Sequence, residues 1–160
     1  ENHYELNEKG LWVDVYSEIK KSLNKLMNLK SANALLYVMA GISKQSMKLD
    51  ECFILNEKGN VCESISSNVF VVKKNSLTTP PLEDGAVAGV MRKQILKIAA
   101  ENKLLCFEKT ISNYSLLEAD EIFLTNAVKG IQWVERYKEK FFVNKISSVL
   151  INSLIELAKK

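Results

Sequence analysis

The sequence predicts an α/β domain in which a mixed sheet carries outer helices. Three observations carry that prediction. Apolar runs of strand length alternate with segments whose apolar residues recur at helical spacing. The strand-like segment 69–73 is apolar without alternation as far as Val72, as in a strand covered on both faces. Residues 89–102 and 144–159 have the length and one-sided patterning of helices that could supply such cover.

Taken in order, residues 4–16 hold short β-like pieces around Lys9-Gly10, notably 11–16. Ile19, Leu23, Leu26 and Met27 then recur at helical spacing and predict a helix. If it continued, Lys30 would lie on its apolar face, a costly place for an ammonium. Either the segment breaks before Lys30, or Lys30 is buried with a lowered pKa. Residues 32–46 read as a helix that is apolar nearly all round, hence buried. Residues 51–56 and 61–65 are strand-like and joined by Glu57-Lys58-Gly59-Asn60, where Gly59 suits a positive φ. After the strand at 69–73, Lys74-Asn75-Ser76 turns the chain into 77–79, and Pro80-Pro81 ends any pairing.

The helix at 89–102 places Val90, Met91, Ile95, Ile98 and Ala99 on one face. A strand at 104–108, a short helix at 114–119 and strands at 122–125 and 131–137 follow. The last helix, 144–159, is expected to bury Ile146, Val149, Leu150, Leu154 and Leu157, with Asn144 as N-cap and Lys159-Lys160 at its negative end. No proline- or glycine-rich linker interrupts the 160 residues, a length that fits one domain.

Composition narrows the function. The chain is 47% hydrophobic and 26% charged, which fits a packed globule rather than disorder. A net charge of +3 is too small to imply nucleic acid or an acidic membrane. The longest apolar run, residues 34–42, is far short of the roughly 20 residues that span a bilayer. No signal-peptide pattern opens the sequence. The three cysteines, Cys52, Cys62 and Cys106, include no Cys-x-x-Cys pair, and a reducing compartment, the cytoplasm, is expected. The only histidine, His3, argues against a His-rich metal site or a Ser-His-Asp triad, and no metal is expected. The absence of an initiator Met leads to the expectation of a processed chain or a fragment.

The chemistry centres on Lys30 and on Glu63-Ser64-Ile65-Ser66-Ser67-Asn68-Val69-Phe70, which begins 33 positions later. A lysine amine can hold an aldehyde cofactor as an imine, and a carboxylate across the same pocket can keep a pyridine nitrogen protonated. Those two contacts make pyridoxal 5'-phosphate (PLP) an electron sink. Read alone, Lys30 could equally be a solvated lysine beside Lys20, Lys21 and Lys25, and Glu63 a strand-edge carboxylate. The polar cluster Ser64, Ser66, Ser67, Asn68 could cradle cofactor atoms or form a bulge. Gly89-Val90-Met91-Arg92 opens a helix, whose free N–H groups can bind phosphate. Thr125-Asn126-Ala127-Val128 could add donors or be an ordinary turn.

The ordered set Lys-x-x-Asn, Glu-Ser-x-Ser-Ser-Asn-x-Phe, Thr-Pro, Gly-x-Met-Arg and Ala-Asp-Glu-x-Phe-x-Thr-Asn resembles the class IV aminotransferases, the fold-type IV PLP enzymes. That family includes branched-chain and D-amino-acid aminotransferases and aminodeoxychorismate lyase. The resemblance implies that the sheet is curled. It also implies that Lys30 is the catalytic imine lysine and proton shuttle. Glu63 would meet the ring nitrogen, and Ser66, Ser67 and Asn68 would line the cofactor. Val90, Met91, Asn126 and Ala127 would serve the phosphate, while Arg92 packs the phosphate helix against the sheet.

Two departures shape the expectation. The family's smaller N-terminal domain, with a phosphate-binding arginine, is almost wholly missing. Residues 1–28 are therefore expected to be its end plus a connection, and 29–160 the PLP-binding large domain. The tyrosine that usually follows the lysine in branched-chain enzymes is not at its place; Lys-x-x-Asn is closer to D-amino-acid aminotransferase and the lyase, and Met91 and Asn126-Ala127 lean further toward the lyase. The resemblance implies amino transfer between an amino acid and a 2-oxo acid, or β-elimination releasing pyruvate from an aminodeoxychorismate-like substrate, and a homodimer. The isolated chain is expected to be inactive. A binding module that keeps the fold without catalysis is the rival of another class; a nucleic-acid module using Lys20, Lys21, Lys25 and Lys30 is opposed by the low charge. Glu63→Gln is expected to leave melting unchanged.

Overall fold

The computed structural model describes residues 4–159; His3 and Lys160 lie outside them. The strands among these residues are β1 (Leu11–Lys21), β2 (Glu51–Asn56), β3 (Val61–Ser64), β4 (Asn68–Lys73), β5 (Ser76–Thr79), β6 (Leu105–Glu108), β7 (Glu121–Asn126), β8 (Gly130–Tyr137) and β9 (Lys140–Phe141). The helices are α1 (Leu35–Ser46), α2 (Val90–Glu101), α3 (Asn113–Glu118) and α4 (Lys145–Ala158), with one 3-10 turn at Leu82–Asp84. The strands form one mixed sheet in the order β3-β2-β1-β8-β7-β4-β5-β6, with β9 on β8. Pairing is parallel for β1–β2, β1–β8 and β5–β6 and antiparallel elsewhere.

The sheet has to curl. In the strand order β3 and β4 lie five spacings apart, about 24 Å if the sheet were flat. Only Ile65, Ser66 and Ser67 connect them, a link that reaches at most about 14 Å. Curling brings the ends together: Ser64 N–H donates to the Ser67 carbonyl at 2.8 Å. The two edges also meet, since Val61 of β3 bridges Ile111, just beyond β6, with Val61 N–H on the Ile111 carbonyl at 2.8 Å.

Each face of this half-barrel has its own core. Inside, Val69 and Val71 of β4 and Ile122 and Leu124 of β7 pack with Phe53, Val61, Val134 and Tyr137. Outside, Phe70 and Val72 join Phe123, Leu77 and the helix residues Met91, Ile95, Ile98, Leu150 and Leu154. Successive residues point to opposite faces, so a strand buried on both must be apolar throughout. Phe70 and Phe123, paired in register, stack with centroids 5.2 Å apart. A third cluster seats α1 on the sheet through Ala40, Tyr16, Cys52, Ile54 and Cys62.

Several expectations are corrected here. Ile19 and Leu23 belong to no helix: β1 runs to Lys21, and turns carry the chain over residues 22–29. β1, which precedes residue 28, pairs with β2 on one side and β8 on the other. Helix α1 is not buried all round; only Ala40 is, and Leu35, Val38 and Ile42 are exposed. Val90 is 84% exposed, off the packed face of α2, and Val149 and Leu157 of α4 are exposed too. Asn144 occupies the N-cap position of α4 without making a side-chain cap. The buried carboxylate of Glu121 does that work, accepting from Ile146 N–H at 2.8 Å and Ser147 N–H at 2.6 Å.

Candidate active site

Glu63 lies in β3, whose four residues are all buried, and is itself only 5% exposed. A carboxylate so placed must have partners. Its Oε1 accepts from Lys21 Nζ at 2.6 Å and from the Tyr37 hydroxyl at 2.5 Å. Its Oε2 accepts from Val87 N–H at 3.2 Å. Lys21 also lies over the Tyr37 ring, 5.9 Å from its centroid. Burial, then the Glu63 charge and hydrogen bond, push the Tyr37 hydroxyl's pKa well above its ordinary value, so it stays protonated as a donor. Burial likewise pushes the neighbouring Cys62 thiol up to about 12, with Glu63 adding to the shift.

The segment 86–89 joins this carboxylate to the other expected site residues. Val87 donates to Glu63, and Ala88 N–H donates to the Asn28 carbonyl at 3.0 Å. The Asn28 side chain returns two bonds, to the carbonyls of Leu82 and Ala86, each at 2.7 Å. The loop carrying Lys30 is thereby anchored to the segment that contacts Glu63. Gly85, at φ 91°, makes the turn that sets this segment's course. Lys30 itself is exposed and has no hydrogen bond or ion pair among the described residues. Of the two alternatives read from the sequence, a break before Lys30 is therefore the one the structure adopts.

A polar corner forms where β4 begins, β7 ends and α2 starts. Asn68 and Thr125 are register partners, and Asn68 Nδ2 donates to the Thr125 carbonyl at 3.1 Å. Asn126 Nδ2 donates to Ser67 Oγ at 2.9 Å, while its Oδ1 accepts from Val128 and Lys129 N–H. A Cβ on Gly89 would come within 3.2 Å of the Asn68 amide, so glycine lets helix and strand meet this closely. No side chain caps α2, which leaves the N–H groups of Val90 and Met91 facing an uncapped end. Arg92 is buried and donates to the Pro80 carbonyl at 2.8 Å and to Glu108 at 2.6 Å, tying α2 to β6.

The structure thus gathers Glu63, Ser67, Asn68, Val90, Met91 and Asn126 around the junction of β3, β4, β7 and α2. Ser66 is turned away: its hydroxyl donates to Glu51 at 3.0 Å. Ala127 is exposed, and its carbonyl accepts from the Tyr4 hydroxyl at 3.0 Å. Sequence reasoning missed Tyr37 and Asn28, and took Lys21 for one more solvated lysine. Nothing local marks these three residues, because their partners lie 26, 54 and 42 positions away.

These groups suit a phosphorylated pyridine aldehyde. Glu63 Oε2 keeps acceptor capacity beside its single Val87 contact. The uncapped start of α2 with the Ser67, Asn68 and Asn126 corner is chemistry for an anion. Lys30 supplies an amine on a loop fixed to both through Asn28. Lys21, by contrast, is already engaged, donating to Glu63 Oε1 at 2.6 Å.

The family described as amino-transferase class IV matches residues 2–137. A Methanocaldococcus jannaschii protein, provisionally named a branched-chain-amino-acid aminotransferase, is 32% identical over 151 residues, 94% of this chain and 49% of that protein. The chain therefore spans about half the length of that relative. A Legionella pneumophila structure, provisionally named a 4-amino-4-deoxychorismate lyase, superposes with TM-score 0.87 at 26% identity, over 96% of this chain and 58% of the other. A Brucella abortus aminotransferase bound to PLP has the same fold, with TM-score 0.89 at 22% identity over 96% and 56%.

Proposed function

Because the chain belongs to the class IV aminotransferase family, whose cofactor is PLP, we propose that it forms the cofactor-binding part of an enzyme that moves an amino group between an amino acid and a 2-oxo acid. One observation carries the reading: Glu63 is a buried carboxylate held through Oε1, and it is joined by segment 86–89 to the Lys30 loop and to the start of α2. When bound, PLP supplies an aldehyde that takes up amines and a ring that accepts electrons from a bond breaking at the substrate's α-carbon.

The residues divide the remaining work. Lys30 Nζ would hold the cofactor and, as a free amine, would take the substrate's α-proton as general base. Glu63 would keep a proton on the ring nitrogen. Val90 and Met91 N–H, with Ser67, Asn68 and Asn126, would hold the phosphate. Neither Ser66 nor Ala127 is assigned a side-chain contact, although the backbone N–H of Ala127 remains a candidate phosphate donor. No helix among the described residues is long and apolar enough to cross a membrane. A cytoplasmic location and a homodimer belong to the proposal; the exposed Leu35, Val38 and Ile42 of α1 support the second.

A second reading has support of its own. The Legionella neighbour, with Met91 and Asn126-Ala127, supports a lyase that releases pyruvate by β-elimination. Borohydride reduction of the PLP-loaded protein, followed by peptide mapping, tests the shared part: label on Lys30 is expected, and label on another lysine overturns the assignment. Amino transfer to a 2-oxo acid, set against pyruvate release from aminodeoxychorismate, then separates the two reactions.

A further inference from the structure

Glu63 receives more on one oxygen than on the other. Lys21 from β1 and Tyr37 from α1 both donate to Oε1, at 2.6 Å and 2.5 Å. Oε2 receives one longer backbone bond, 3.2 Å from Val87. A carboxylate oxygen carries two lone pairs, so Oε1 is saturated and Oε2 retains one acceptor site. Two consequences follow from elementary chemistry. Donors on Oε1 fix the plane of the carboxylate, and they favour its charged form over its protonated form.

We propose that Tyr37 is a positioning residue for the ring-nitrogen contact: by donating to Oε1 beside Lys21, it keeps the negative charge on Glu63 and leaves Oε2 to meet the cofactor's ring nitrogen. The proton shared by Glu63 and the nitrogen then resides on the nitrogen. Loss of the Tyr37 donor makes the carboxylate a stronger base and moves the proton toward oxygen, which leaves a neutral ring that is a poorer electron acceptor. Lys21 is a less simple handle, because its charge supports the carboxylate but repels a protonated ring. Tyr37 is neutral, and its hydroxyl donates to Glu63. The hydroxyl remains a donor across neutral pH, since burial and the adjacent carboxylate oppose its ionisation.

This inference rests on the reading of the site as one for PLP, and the test separates the two. PLP labelled with nitrogen-15 in the ring is loaded into wild type and into Tyr37→Phe, a variant that keeps the ring packed against Lys21. Wild type should give the nitrogen signal of a protonated pyridine. The variant's signal should move toward the unprotonated position. Tyr37→fluorotyrosine, which keeps the shape and donates more strongly, should retain the protonated signal. If the Phe variant matches wild type, or the fluorotyrosine variant loses the protonated signal, the role of Tyr37 is wrong while the PLP reading stands. If wild type takes up no cofactor, the PLP reading falls, and the role of Tyr37 with it.

Discussion

Lys21 Nζ lies 2.6 Å from Glu63 Oε1, and the two side chains are 11% and 6% exposed. The pair joins the last residue of β1 to β3 across the intervening strand β2. It makes Glu63 a structural group as well as a chemical one. A buried ion pair adds little net stability, but removing one partner strands the other charge out of water.

Glu63→Gln should therefore lose stability, contrary to the expectation drawn from sequence. A neutral amide leaves the Lys21 ammonium without its counter-charge, at a cost of about 3 kcal/mol. Thermal unfolding should shift down by about 6–12 °C for a domain of this size. Lys21→Met combined with Glu63→Gln should recover most of the loss, because no stranded charge remains. A Gln variant that melts with wild type would show that water already compensates Lys21.

Lys30→Ala should behave in the opposite way. Lys30 is exposed and makes no polar contact among the described residues, so its removal should change stability by no more than about 0.5 kcal/mol. The same variant should lose the visible absorbance of imine-linked PLP and all borohydride labelling. Retained labelling would place the imine on another lysine.

The contrast between Lys30 and Lys21 shows what was legible in the sequence. Lys30 and Glu63 stand out in the sequence because an ordered set of short motifs brackets them. The strands β2, β4 and β7 and the helix α2 were visible because two-sided burial and helical periodicity are local patterns. The end of β1 was misread because Ile19 and Leu23 fall at a spacing that also suits a helix, and pairing with β2 decided the outcome. Tyr37 looked like one more apolar position of α1. Its hydroxyl acquires meaning only once strand pairing sets β3 beside β2, on which α1 packs.

Glu121 offers a test of the fold away from the site. It is 2% exposed and satisfies two N–H groups at the start of α4. Glu121→Ala should cost about 2 kcal/mol, the upper range for a lost cap, with a void added. Urea unfolding would measure it. PLP uptake by the folded variant should match wild type, since α4 lies on the outer face against Ile131 and Phe123. A loss below about 0.5 kcal/mol would mean that Asn144 takes over the cap.

Alkaline pH should unfold the protein through its buried thiols. Burial raises Cys52 from the ordinary 9.0 to about 11 and Cys62 to about 12. Between those limits the folded chain holds protons that the unfolded chain has released. Stability is thus full below pH 9 and falls as pH rises, by about 1.4 kcal/mol per pH unit for each such group. Tyr137, pushed up to about 12 by burial, adds to the slope above its ordinary 10.0. Cys62→Ala removes one contributor. Its small cavity lowers the whole curve, but the slope between about pH 9 and 11 should flatten by one group's share. Urea unfolding at a series of pH values measures that slope, and identical slopes for wild type and variant would show that Cys62 ionises in the fold as readily as in the open chain.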